Sequence, residues 1–89
     1  MTDTQLAELL TLRCEVDQLG TIRYFNSEGL LHRQHGPAQM GISHEGWFCD
    51  GKLHRVGGPA YTYTEKYGGR TVSAWYAHGQ HQRSERSER

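Results

Sequence analysis

Apolar and polar residues alternate in short runs along this chain. Thr21-Ile22-Arg23-Tyr24-Phe25-Asn26, Trp47-Phe48-Cys49 and Thr71-Val72-Ser73-Ala74-Trp75-Tyr76 carry β-branched and aromatic side chains at strand spacing. Two further runs read as returning strands, Ala38-Gln39-Met40-Gly41-Ile42 and Ala60-Tyr61-Thr62-Tyr63-Thr64. Residues 11–17 supply a first strand, with Leu12, Cys14 and Val16 on one face. Before it, Leu6, Leu9 and Leu10 form one stripe behind a cap at Asp3 or Thr4, which predicts a short helix over residues 3–10. Turns are expected at Gln18-Leu19-Gly20, at 43–46 and at 67–69. The predicted fold is mainly β: an antiparallel meander of about five or six strands with a short N-terminal helix.

A repeat organises this pattern. Gly29-Leu30-Leu31-His32-Arg33-Gln34-His35-Gly36-Pro37-Ala38 recurs 22 residues later as Gly51-Lys52-Leu53-His54-Arg55-Val56-Gly57-Gly58-Pro59-Ala60. The shared form is Gly-x-Leu-His-Arg-x-x-Gly-Pro-Ala. An aromatic stands four residues before each first glycine, Phe25 and Trp47. A third, degenerate copy starts at Trp75, four residues before Gly79, and keeps only Arg83 of the His-Arg-Gly-Pro-Ala set. It begins 28 residues after Trp47, so six residues are inserted, placed by the Gly68-Gly69 turn at about 64–70. Each unit reads as a strand, a turn and a returning strand. Pro37 and Pro59 suit strand starts, and Gly36 and Gly58 are expected to supply backbone that other residues resist. The spacing aligns Phe25, Trp47 and Trp75 on one face and Tyr24, Phe48 and Tyr76 on the other. One short helix covers one aromatic face, which leaves the other for a partner or a second copy.

This unit resembles a repeat of small proteins from tailed bacteriophages and their hosts, which is similar to MORN-type β-hairpin repeats. The resemblance spans residues 20–83 and is carried by 29–38 and 51–60, whereas 75–83 departs from it. It implies stacked hairpins that bind or scaffold rather than catalyse, and a phage or prophage source. Small phage proteins of this size block host proteins, CRISPR and other defence components included.

Composition sharpens the picture. The chain has 89 residues and a mean hydropathy of −0.81, with ten Lys+Arg against ten Asp+Glu. Leu, Ile, Val and Phe make up only about 17% of it, so five Tyr and two Trp must provide much of any core. One domain is expected over residues 1–83, with 84–89, a tandem Ser-Glu-Arg, as a frayed tail. Zero net charge weakens long-range attraction to phosphate. Neither a span of about 20 apolar residues nor a secretion signal is visible, so the expected location is the cytoplasm, the host's if the gene is phage-encoded. Cys14 and Cys49 then read as buried thiols rather than a disulfide.

The candidate chemistry is sparse. Six histidines invite a metal, with His32-x-x-His35, His78-x-x-His81 and Cys49 as donors, but zinc wants four closely spaced N or S ligands. No cofactor, metal or catalytic residue is assigned: a His-Arg pair repeated at each hairpin suits structure better than one reactive centre. Gly29, His32, Arg33, Gly36, Pro37, Gly51, His54, Arg55, Gly58 and Pro59 are therefore read as structural. Tyr61, Tyr63, Tyr67, Trp75, Tyr76 and Arg70 are the partner-binding candidates, because aromatics bury much area at low rotamer cost. The function expected is non-enzymatic binding of a bacterial protein or complex by steric occlusion, with a homodimer through a sheet edge or face as a variant. The rivals are single-stranded nucleic acid on an aromatic and basic face, with Arg33, Lys52, Arg55, Lys66, Arg70 and Arg83 between the rings, and a scaffolding repeat.

Overall fold

The computed structural model describes residues 3–87. One helix, α1 (Asp3–Leu9), precedes nine strands. These are β1 (Arg13–Val16), β2 (Ile22–Phe25), β3 (Gln39–Met40), β4 (His44–Gly46), β5 (Phe48–Cys49), β6 (Lys52–Leu53), β7 (Tyr61–Thr64), β8 (Thr71–Ala77) and β9 (Gln80–Arg86). The main sheet has seven strands in the order β1-β2-β3-β4-β7-β8-β9, every pair antiparallel. The β5–β6 hairpin stands apart as a second sheet. The predicted meander with its short N-terminal helix is thus the fold observed, with nine strands in place of five or six. The expected turn at 43–46 is shorter, because His44–Gly46 is itself a strand closed by the Gly41 amide on the His44 carbonyl, 2.8 Å.

Local chemistry fixes the turns. Asp17 Oδ1 accepts the amides of Leu19 (2.8 Å) and Thr21 (3.0 Å), while its Oδ2 accepts Arg23 Nη1 at 2.9 Å. The hairpin loops Asp50-Gly51 and His78-Gly79 place both residues in the left-handed region, which matches the twist of a two-residue hairpin. The insertion falls where expected: Gly68 and Gly69 are both left-handed, and the Glu65 amide closes that loop on the Arg70 carbonyl at 2.8 Å.

The core is small. Among the described residues Ala38 and Ala60 are 0% exposed, Ala74 is the other buried apolar residue, and no large side chain is fully buried. Both alanines sit at the crossing of the ladder: Ala38 takes the Tyr24 amide and gives its own to Gly46, and Ala60 takes the Trp47 amide and gives its own to Ala74. That register corrects the aromatic alignment. Tyr24, not Phe25, matches Trp47 and Trp75, and Phe25 matches Phe48 and Tyr76. The first loop, Ser27-Glu28-Gly29, is one residue longer than the others, as the Asn26 amide on the Leu30 carbonyl shows, so counting back from the glycine slips by one.

Three further expectations are corrected. The helix does not cover a sheet face, since Leu6 is exposed and Leu10 is 80% exposed. Residues 84–86 are not a frayed tail but the end of β9, held by Arg86 Nη2 on Glu65 Oε2 at 2.8 Å and Nε on Oε1 at 2.5 Å; residues 88–89 lie outside the described residues. Gly36 and Gly58 are not left-handed. They are glycine because a Cβ would stand 2.5 Å from the Arg33 guanidinium carbon and 2.8 Å from that of Arg55.

Gly58→Ala should therefore push Arg55 off its seat and forfeit its contact with Trp47, about 0.5–2 kcal/mol, read as a lowered midpoint of thermal unfolding. The hydrogen bond from Arg23, with those from the Thr21 and Leu19 amides, holds the Asp17 carboxyl below its usual range. Its contribution to stability is present above the ordinary carboxylate value and is lost as the pH falls through the lowered one. Asp17→Asn should flatten that acid limb in unfolding measured across pH.

Candidate functional site

The residues shared by the repeats meet where one hairpin stacks on the next. His32 Nδ1 accepts the amide of Asp50 at 3.1 Å, and His54 Nδ1 accepts the amide of His78 at 3.0 Å. Asp50 and His78 hold the same place, the first residue of the following left-handed loop. Beside each bond the loop glycine reaches back, Gly51 to the Leu31 carbonyl and Gly79 to the Leu53 carbonyl, both 2.8 Å. With Nδ1 accepting, each imidazole carries its proton on Nε2. His78 also stacks on His54, with centroids 4.1 Å apart.

The arginines form a second series. The guanidinium carbons of Arg33, Arg55 and Arg83 lie over the rings of Tyr24 (4.8 Å), Trp47 (3.8 Å) and Trp75 (4.1 Å). Arg33 Nη1 and Arg55 Nη1 also donate to the carbonyls of Pro37 and Pro59, at 3.4 and 3.2 Å. Each of the first two guanidinium groups is clamped between a ring below and the Gly-Pro backbone beside it. Arg83 keeps its ring but has no Gly-Pro-Ala, because β9 runs on along β8. Nine of the ten residues read as structural thus serve these bracing contacts, while Gly29 stands apart in the first loop, left-handed and with its amide on the Asn26 carbonyl.

One junction brings metal-binding atoms together. A ring nitrogen of His32, Cys49 Sγ and an Asp50 carboxylate oxygen lie within 4.8 Å of one another. The His32 lone pair is engaged by the Asp50 amide, and Asn26 Nδ2 donates to Asp50 Oδ1 at 3.0 Å. Burial, then the charge of Asp50, pushes the Cys49 thiol up. The other junction has Ala77 and His78 where this one has Cys49 and Asp50. Cys14, expected to be buried, is exposed on β1, and both thiols are free.

The partner-binding candidates divide. Tyr61 and Tyr63 sit side by side on β7, ring centroids 6.0 Å apart, on the face shared with Val72 and Arg86. Tyr63 is 40% exposed and borders two grooves, of about 210 and about 340 Å³. Tyr67 is 82% exposed at the tip of the adjoining loop, with Lys66 Nζ 5.7 Å from its ring centroid. Arg70, also exposed, ends that loop. Trp75 and Tyr76 do not join this group: Trp75 lies under Arg83, and Tyr76 meets His81 edge-on at 5.2 Å. Their partly buried rings belong to the stack.

Two contacts escaped sequence reasoning. Glu8 Oε2 and Oε1 accept the amides of Gln34 (2.6 Å) and His35 (3.0 Å), so the helix is tied to the first repeat by a carboxylate rather than by leucines. Asp50 and His78 receive the histidine bonds through their backbones, and no side-chain pattern marks a backbone donor. No helix among the described residues is long and apolar enough to cross a membrane. Comparison with family models, with curated proteins and with solved structures gives no match.

His54→Ala removes the acceptor of the His78 amide and the ring stacked on His78, and at this exposed position should cost about 0.5–1.5 kcal/mol. The same variant should speed hydrogen exchange at His78 far more than at Asp50, as followed by NMR.

Proposed function

We propose that this chain is a non-catalytic protein-binding module, presenting the tyrosine surface of β7 and the loop after it. The observation that carries this reading is where the polar chemistry is spent. The repeated imidazoles and guanidinium groups brace one hairpin on the next, while Tyr63 stays exposed beside two grooves and Tyr67 stays exposed on the adjoining loop. Exposed tyrosine offers large area at low entropic cost, the usual makeup of an interface anchor.

The free edges of the sheet are less suited to binding. β1 presents Arg13 and Glu15, and β9 presents Arg83, Glu85 and Arg86, charges that discourage pairing with another strand. This favours the face over an edge-to-edge homodimer. Occlusion of a bacterial host protein, a defence component among the targets, is the version that the likeness to phage hairpin repeats implies. Nucleic-acid binding draws less support, because Arg33, Arg55 and Arg83 already lie over rings within the protein and offer no open platform for bases.

Capture from bacterial lysate tests the reading. The wild-type chain should retain one protein complex, and Tyr63→Ser with Tyr67→Ser should lose it at least tenfold while the unfolding midpoint stays put. Equal capture by the variant, or salt-sensitive binding of a single-stranded oligonucleotide in its place, would contradict it.

A further inference from the structure

We propose that the loop Val56-Gly57-Gly58 is a docking point for a carboxylate side chain of a protein partner, the counterpart of the seat that Glu8 fills in the first repeat. The inference stands apart from the tyrosine surface and rests on the internal repeat.

Gln34 and His35 follow His32-Arg33 as Val56 and Gly57 follow His54-Arg55. In the first repeat, adjacent amides donate to the two oxygens of one carboxylate, at 2.6 and 3.0 Å, and that carboxylate comes from a separate element, α1. In the second repeat the amides of Val56 and Gly57 meet no acceptor among the described residues. Val56 is 86% exposed, so the loop is open to an incoming chain. The first repeat thus supplies the precedent for what the second loop takes.

The surroundings favour an anion. A cavity of about 270 Å³ between the two loops is lined by Arg33, Gln34, Trp47, His54, Arg55 and Val56, with Cys49 and without Asp or Glu. Two donors of that lining, Arg33 Nε and Trp47 Nε1, are buried without an acceptor. Two guanidinium groups, an indole N–H and free backbone amides make a site rich in donors, where a charged acceptor forms the stronger kind of hydrogen bond. The loops differ in backbone at the second of these residues. Gly57 is left-handed at φ +86°, which His35 is not. A left-handed residue within a run of free amides turns successive N–H groups toward a common centre, and glycine passes to the His35 arrangement without steric cost.

The occupant inferred is a Glu or Asp side chain rather than a phosphate, because the seat already filled holds a carboxylate. The probe is the synthetic peptide of residues 3–12, Asp-Thr-Gln-Leu-Ala-Glu-Leu-Leu-Thr-Leu, added to the ¹⁵N-labelled full chain and compared with acetate and with inorganic phosphate. The amides of Val56 and Gly57 should shift saturably, and the peptide should bind about tenfold more tightly than its Glu8→Gln form. Glu8→Gln in the protein should open the first seat, so that acetate then moves Gln34 and His35 too. Val56→Pro, which deletes one donor, should abolish the response at Gly57 with the first seat intact. Shifts at Gln34 and His35 of the Glu8→Gln protein with none at 56 and 57 would overturn the proposal. A response at 56 and 57 to phosphate but not to acetate or peptide would also overturn it.

Discussion

A left-handed two-residue loop leaves an amide pointing away from its own hairpin, free to bond water or a neighbouring unit. The whole stack depends on where the acceptor comes from. At both junctions it is the Nδ1 of a histidine in the preceding repeat, 3.0–3.1 Å from the donor. A neutral imidazole is well matched to this position, being rigid and half-apolar with one lone pair in the ring plane. The neighbouring glycine amide bonds a main-chain carbonyl of the same preceding repeat, so each loop is fastened twice. Successive hairpins are thereby set at one spacing, and the outgoing strands β2, β4 and β8 fall into a common sheet.

The arginine clamp meets the second constraint, the lack of aliphatic residues. With Ala38, Ala60 and Ala74 as the only buried apolar residues among those described, the repeats cannot rely on leucine packing. A guanidinium over an indole or phenol gives each unit a layer of contact and an attraction of about 0.5–2 kcal/mol. The Gly-Pro-Ala segment completes the clamp: glycine makes room, the proline carbonyl accepts, and alanine lets the strands close. The third unit keeps the ring and the arginine but replaces Gly-Pro-Ala with a long edge strand, sealed by Arg86 on Glu65. That is how a terminal repeat ends a stack.

Much of this was legible in the sequence. The antiparallel meander, the repeats and the insertion at Gly68-Gly69 followed from spacing and propensity, whereas the short strands β4 and β6 and the polar strand β9 have no apolar run to mark them. The aromatic faces did not, because the extra residue in the Ser27-Glu28-Gly29 loop lies before the anchor glycine and has no compositional mark. The reason for Gly36 and Gly58 was hidden for another cause: a glycine cleared for a neighbour's side chain looks the same in sequence as one needed for backbone freedom. The helix misled through its leucines, since the tie to the sheet is Glu8 on two amides, a contact across 26 residues. The tandem Ser-Glu-Arg read as a tail because it has no apolar residue, yet backbone pairing and one bidentate ion pair hold its start.

A scaffold that spends its imidazoles and guanidinium groups on itself leaves binding to whatever remains open, here the tyrosines of β7 and its loop and the donor-rich loop of the second repeat. The claim beneath this is that each repeated histidine is an acceptor for the next hairpin. Scalar coupling across the N–H···N bond reads that directly in ¹⁵N-labelled protein. The account predicts coupling from the Asp50 amide to His32 Nδ1 and from the His78 amide to His54 Nδ1, with both rings protonated on Nε2. Absence of both couplings, with Nδ1 of His32 instead shifting on addition of zinc, would contradict it.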